Sequence, residues 1–228
     1  DSFTVTAAAN KATIEGGEGA DSLSIAGTVS AAQVIGGSGA DTFLLANSFN
    51  SSTLYGGSSG IENDSADFRS IDGGVSASVL SGNQGNGSLV IGVASTKFTV
   101  SGGSGNDSLR VAAAATSISF VGGIGDDSVT VTGIANAATI SGGDGNDSLS
   151  LGGNITKGSL IKGEDGNDRV SIAAGVIASS IYSGSGDDSL WVVNGASTAA
   201  FIDGGDGNDY LSLAGLAGTS SLVGAVGN

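Results

Sequence analysis

The chain reads as an all-β protein, a parallel β-solenoid built from about eleven coils of 20–21 residues. Three observations predict this. A glycine-rich phrase closing on aspartate returns about every 20 residues. Apolar residues stand in register with that phrase at alternate positions, the period of a strand with one buried face. The composition favours small and β-branched side chains: 42 of 228 residues are glycine, 5% are aromatic, and proline is absent. A 20-residue unit cannot enclose a core by itself, whereas stacked copies can, because each strand pairs with its equivalent in the next coil.

The phrase occurs as GGEGADSLSI at 16–25, GGSGADTFLL at 36–45, GGSGNDSLRV at 102–111, GGIGDDSVTV at 122–131, GGDGNDSLSL at 142–151 and GGDGNDYLSL at 204–213. Looser copies are GEDGNDRVSI at 163–172 and SGSGDDSLWV at 183–192. Its closing aspartates are Asp21, Asp41, Asp107, Asp127, Asp147, Asp168, Asp188 and Asp209. The same ruler reaches back to Asp1 and, across an insertion, to Asp67 and Gly87.

Three apolar columns follow from the alignment. Leu23, Leu109 and Leu149 stand two places after the aspartate, and Ile25, Val111 and Leu151 four places after it. Ile14, Val100 and Ile140 precede the glycine loop. Each repeat is therefore expected to hold two short strands, one glycine- and aspartate-rich turn, and one bend of alanine, serine or threonine. At about 4.8 Å per coil, eleven coils make a rod of roughly 50 Å, of the β-roll type.

Stacking places the loop aspartates in a column, where like charges about 4.8 Å apart cost on the order of 1 kcal/mol per pair even in water. Such a column needs a cation. The glycines let backbone carbonyls turn in beside the carboxylates. An all-oxygen nest on a flexible loop suits calcium better than octahedral, water-retaining magnesium.

The motifs GGSGND at 102–107 and GGDGND at 142–147 and 204–209 resemble the calcium-binding nonapeptide of repeats-in-toxin (RTX), haemolysin-type proteins. The resemblance covers nearly the whole chain. It implies several Ca2+ ions held between successive coils by loop carbonyls and by Asp21, Asp41, Asp107, Asp127, Asp147, Asp168, Asp188 and Asp209, with Asp1 and Asp67 as weaker candidates. The nonapeptide occupies one turn per coil, so one row of calcium is expected rather than two. Residues 56–87 depart from the pattern: an insertion brings Glu62, Asp64 and Asp67 as spare carboxylates, and Arg69 falls in a nominally buried column, which predicts a bulge. The loop GNQGNG at 82–87 has lost its aspartate, so an interruption of the ion row is expected there.

Composition excludes other chemistries. Without cysteine or histidine there is no zinc finger, thiol nucleophile, histidine-based triad or disulfide framework. The serines that follow the aspartates lack a histidine base, so they read as a solvated ladder and no catalytic activity is expected. Seven Lys+Arg against 22 Asp+Glu, a net charge of -15, disfavour nucleic acid and anionic lipid as partners. No apolar run reaches the roughly 18 residues of a membrane span. With 39% apolar and 13% charged residues, the chain is too hydrophobic for an acidic disordered tail.

The first residue, Asp1, predicts a processed product or a segment of a longer solenoid, spanning 1–228 as one domain. Trp191, Tyr182 and Tyr210 read as isolated surface aromatics, with a sugar platform as the alternative. Three roles are weighed. The favoured one is a calcium-rigidified structural module of an extracellular or bacterial cell-surface protein, such as an S-layer, sheath, filament or adhesin, whose copies stack end to end or in a lattice. The second is the RTX domain of a secreted toxin or hydrolase that folds on export. The third is calcium-dependent binding of sugar or ice, disfavoured by irregular outward columns such as Ser24, Arg110, Thr130, Ser150 and Trp191.

Overall fold

Residues 1–57, 67–71, 74–193 and 197–224 are described by a computed structural model. They form a parallel β-solenoid with three strands per coil where two were expected. Two of its sheets have eleven strands each, and a middle one has eight. In one regular coil the strands are Ser108–Val111, Ala115–Thr116 and Ser119–Ile124. Each pairs in register with the strand 20 residues on, as in Ser108↔Ser128, Ala115↔Ala135 and Ser119↔Thr139.

The extra strand comes from the bend, which is a folded corner and not a loose connection. One residue in each of ten coils adopts the left-handed conformation there without being glycine: Lys11, Ala31, Ser51, Ala77, Lys97, Ser117, Ala137, Lys157, Ala178 and Ala199, with φ between 46° and 56°. Left-handed backbone costs an L-residue roughly 1–2 kcal/mol. Hydrogen bonding between coils holds it in place: Ala137 N–H donates to the Thr156 carbonyl at 3.0 Å, and Ser117 N–H to Asn136 at 2.8 Å. The 21-residue coil that spans Asp147 to Asp168 places its extra residue, Gly158, beside this corner at φ 72°.

The three anticipated apolar columns are buried in the interior coils, with Leu109, Val111, Phe120, Val129, Val131 and Ile140 at 1% exposure or less, and become exposed at the ends, as at Phe3 and Leu222. Two further inward columns complete the core. The middle strand contributes Val29, Phe49, Val75, Ala115, Ala135 and Ile155. The corner contributes a mixed column of Ala32, Phe98, Ile118 and Ala138 with the buried serines Ser52, Ser78, Ser159 and Ser179. These serines accept amide hydrogens from the preceding coil: Ala138 N–H donates to Ser159 Oγ at 2.9 Å, and Ser159 N–H to Ser179 Oγ at 3.2 Å. A buried backbone donor at the corner is thereby satisfied without a strand partner.

The predicted bulge is present. Asp67 and Phe68 pair with Thr42 and Phe43, but Ser70 pairs with Leu44, so the ladder slips at Arg69. Asp67 is therefore aligned with Thr42, one place beyond the aspartate column, where the ruler drawn on the sequence had set it in the column itself. Glu62 and Asp64 lie outside the described residues. The surface aromatics are not isolated. The Trp191 and Tyr210 rings are 5.7 Å apart, Tyr182 and Phe201 are 5.4 Å apart, and the Arg169 guanidinium lies 4.2 Å from the Trp191 ring.

The corner yields a direct test. Ala137→Gly is expected to raise the free energy of unfolding by about 0.5–1 kcal/mol, because relief of left-handed strain exceeds the entropy glycine gains in the unfolded chain. Ala137→Val is expected to lower it by more than about 1 kcal/mol. Urea titration of both variants measures the two shifts.

Candidate metal centre

Each glycine loop runs from the end of one long strand to the start of the next short one, so the loops share one edge of the rod. Asp21, Asp41, Asp107, Asp127, Asp147, Asp168 and Asp188 are all buried, none more than 5% exposed, and Asp209 is half-buried. The structure brings these eight predicted residues into one column.

One oxygen of each carboxylate has a fixed partner. The backbone N–H of one coil donates to Oδ1 in the next: Asp21 to Asp41 at 2.8 Å, Asp107 to Asp127 at 2.6 Å and Asp127 to Asp147 at 2.6 Å. The series continues through Asp147 to Asp168, Asp168 to Asp188 and Asp188 to Asp209 at 2.7–2.9 Å. The Asp1 nitrogen reaches Asp21 Oδ1 at 2.6 Å in the same way. The other oxygen is left over. Oδ2 of Asp21, Asp107, Asp127, Asp147, Asp168, Asp188 and Asp209 is buried without a hydrogen-bond partner.

That second oxygen faces the first glycine of its own loop, together with a carbonyl from the next coil. At Gly122 an added Cβ would overlap Asp127 Oδ2 and the Gly142 carbonyl, and at Gly163 it would overlap Asp168 Oδ2 and the Ser183 carbonyl. Glycine is required at these two positions by space. Carboxylate and carbonyl oxygens thus converge at each junction between coils, the donor set that a hard cation takes. Among the described residues no three Asp or Glu side chains gather around one point, so a cation in this column draws on carbonyl oxygens as well.

The electrostatics agree. Burial pushes the carboxyls of Asp107, Asp127, Asp147 and Asp168 up to about 6, against the downward pull of the N–H bond each accepts. Asp188 rises to about 7, again chiefly through burial, with the Asp168 and Asp209 carboxylates adding to it. A buried anion without a counter-charge favours its neutral form.

A second ladder, whose hydrogen bonding sequence reasoning did not foresee, covers the outside of the loops. Asn86, Asn106, Asp126, Asn146, Asn167, Asp187 and Asn208 stand one place before the buried column. Each side-chain oxygen from Asn86 to Asp187 accepts the backbone N–H of the coil that follows, at 2.7–3.0 Å. The alternation of Asn and Asp at one loop position was its signal. Asp144, Asp165 and Asp206, at the third loop position, are exposed.

The interruption at residue 87 is visible. Gly87 keeps the backbone role, donating to Asp107 Oδ1 at 2.6 Å, but brings no carboxylate. A cavity of about 20 Å³ lies beside it, lined by Gly82, Gly87, Gly102, Asp107 and Phe120 among others. Glu164 departs differently. It stands in the second-glycine column at φ 86°, its carboxylate tied to Ser141 Oγ at 3.0 Å and Lys162 Nζ at 2.9 Å.

The family model for the RTX calcium-binding nonapeptide repeat matches residues 99–111, 132–154 and 201–219, with four copies. The chain carries RTX calcium-binding repeats, and the ion such repeats take is Ca2+. No curated protein matches it in sequence. Among solved structures it is similar to a hyperactive, Ca2+-dependent, β-helical antifreeze protein from an Antarctic bacterium. The TM-score is 0.64 and the identity 23%, over 94% of this chain and 78% of that one. At that identity the likeness establishes the shared β-helical fold.

Two outcomes follow from the column. In excess chelator, carboxyls with folded pKa values near 6–7 against 3.8 bind protons more tightly when folded. Their contribution to stability is complete below about 3.8 and disappears as pH rises through about 6–7. The far-UV β signal of the calcium-free chain should therefore be greatest near pH 4 and fall as pH rises to about 7; a flat or rising signal would contradict the buried column. Gly122→Ala forces a methyl against Asp127 Oδ2 and is expected to lower unfolding free energy by about 2 kcal/mol or more, measured in urea with calcium present.

Proposed function

We propose that the chain is a calcium-rigidified structural rod within an extracellular or bacterial cell-surface protein, of the kind that forms S-layers, sheaths, filaments or adhesins. The observation that carries this reading is the row of buried aspartate oxygens without partners, repeated from coil to coil beside inward carbonyls. Asp21, Asp41, Asp107, Asp127, Asp147, Asp168, Asp188 and Asp209 are the proposed ligands, one row along one edge. Bound calcium supplies the positive charge and the demand for six to eight oxygens that such a row lacks on its own.

The chain's own part is preorganisation. The N–H bond to Oδ1 fixes each carboxylate, and the first glycine leaves room for Oδ2 and the facing carbonyl. Regularity supports a structural over a catalytic role. Side chains repeat by column, and buried carboxylate oxygens without hydrogen-bond partners recur in successive loops from Asp107 to Asp209. A rod of equivalent coils also suits association with copies of itself, end to end or in a lattice.

Folding is then coupled to location. Weak extracellular-type sites, with Kd of about 10⁻⁴–10⁻³ M, fill outside a cell and empty in cytosol. Circular dichroism tests the coupling. Excess EGTA is expected to abolish most of the β signal and millimolar Ca2+ to restore it; a full β signal in EGTA would overturn the proposal.

A further inference from the structure

Coil by coil, the first glycine of the loop is replaced once among the close and looser copies, by Ser183. At Gly163, one coil back, a Cβ would overlap Asp168 Oδ2 and the Ser183 carbonyl, so by register the Ser183 side chain enters the equivalent space beside Asp188 Oδ2. Ser183 is 1% exposed, and its Oγ has no hydrogen-bond partner. Asp188 Oδ2 and Asp209 Oδ2, on either side of the same junction, are also buried and without partners.

The backbone beyond this point differs from the regular coils. Upstream, the strand Ser180–Ser185 pairs with its predecessor through to Asp165↔Ser185. Downstream, the ladder stops at Tyr182↔Asp203, and contact resumes as an isolated bridge between Ser185 and Asp206. Gly205 N–H turns to Asp203 Oδ1 at 3.1 Å. The loop hydrogen bonds persist, with Gly186 N–H to the Asp206 carbonyl at 2.8 Å and Asp188 N–H to Asp209 Oδ1 at 2.9 Å, so the difference is confined to the backbone around Asp203 and Gly205.

We infer that Ser183 Oγ is an additional calcium ligand, making the junction between loops 183–188 and 204–209 a site chemically distinct from the rest of the row. This rests on the calcium-rod reading above. Elsewhere the donors are carboxylate and carbonyl oxygens; here a buried, unpartnered neutral hydroxyl joins Asp188 and Asp209.

The junction carries its own reporter. Trp191, the one tryptophan, lies on the strand Ser189–Val192 that leaves the Asp188 loop, and its ring is 5.7 Å from that of Tyr210, the residue after Asp209. Terbium(III) added to the calcium-free full chain and excited through Trp191 therefore reads this site in preference to distant ones. Luminescence lifetimes in H2O and D2O count the waters on the bound ion. Relative to the wild type, Ser183→Ala is expected to add about one water and weaken terbium about tenfold, with calcium competing in proportion. Far-UV circular dichroism in calcium should be unchanged, since alanine keeps the Cβ. Sensitised emission with the same water count and affinity in both proteins would overturn the role of Ser183 and leave the rod reading standing. Absence of sensitised emission, together with a β signal indifferent to calcium, would overturn both.

Discussion

A carboxylate that is buried, oriented and half satisfied is the constraint on which the rest of this molecule depends. Loop aspartates such as Asp127 and Asp147 receive an amide hydrogen on Oδ1 from the coil before, which fixes the side chain while leaving Oδ2 enclosed with nothing to bond. A buried polar atom in that condition normally costs about 1–3 kcal/mol, more when charged. Repeated along the rod, the cost is too large to be incidental in a protein with a core as thin as this one. The same N–H bond that aligns the column also makes every carboxylate a property of two coils. Cation binding and strand stacking are consequently one process.

The opposite side of the coil obeys a different logic. Across ten coils alanine, serine or lysine holds the left-handed place of the corner at φ near 50° because the amide hydrogens around it are taken up by the next coil, with Gly218 at φ 66° in the last described coil. Buried serines serve the corner as the aspartates serve the loop, accepting an amide from the preceding coil, but neutral hydroxyls need no counter-ion. The result is an asymmetric rod. One edge holds together by backbone and hydroxyl contacts alone, while the other carries the concentrated charge.

How far this was legible follows from where the signals lie. The aspartate column and three apolar columns are spelled by residue type at a fixed spacing, so both could be read before any coordinates. The middle strand could not. Its corner has no recurring glycine, and its inward residues range from Ala115 to Phe49, so two-residue strands such as Ala115–Thr116 leave no alternation to detect. Asp67 was misplaced by one position because the bulge at Arg69 shifts the register, which only pairing with residues 42–45 reveals. Ser183 reads in the sequence as a minor lapse from the motif. Its meaning appears when the space at Gly122 and Gly163 is shown to be occupied by oxygen.

The two loop ladders run in opposite directions. In the buried column an amide gives to the carboxylate of the following coil, as Asp107 does to Asp127; in the outer one Asp126 gives its amide backwards, to Asn106. Every coil thus hands on the same set of donors and acceptors that it takes in. Excising or duplicating one entire unit would leave the pattern closed on itself, whereas losing a single residue within a loop would strand both ladders at once. Such a molecule can evolve its length in whole increments, like links in a chain, while the spelling of each link stays under tight steric control.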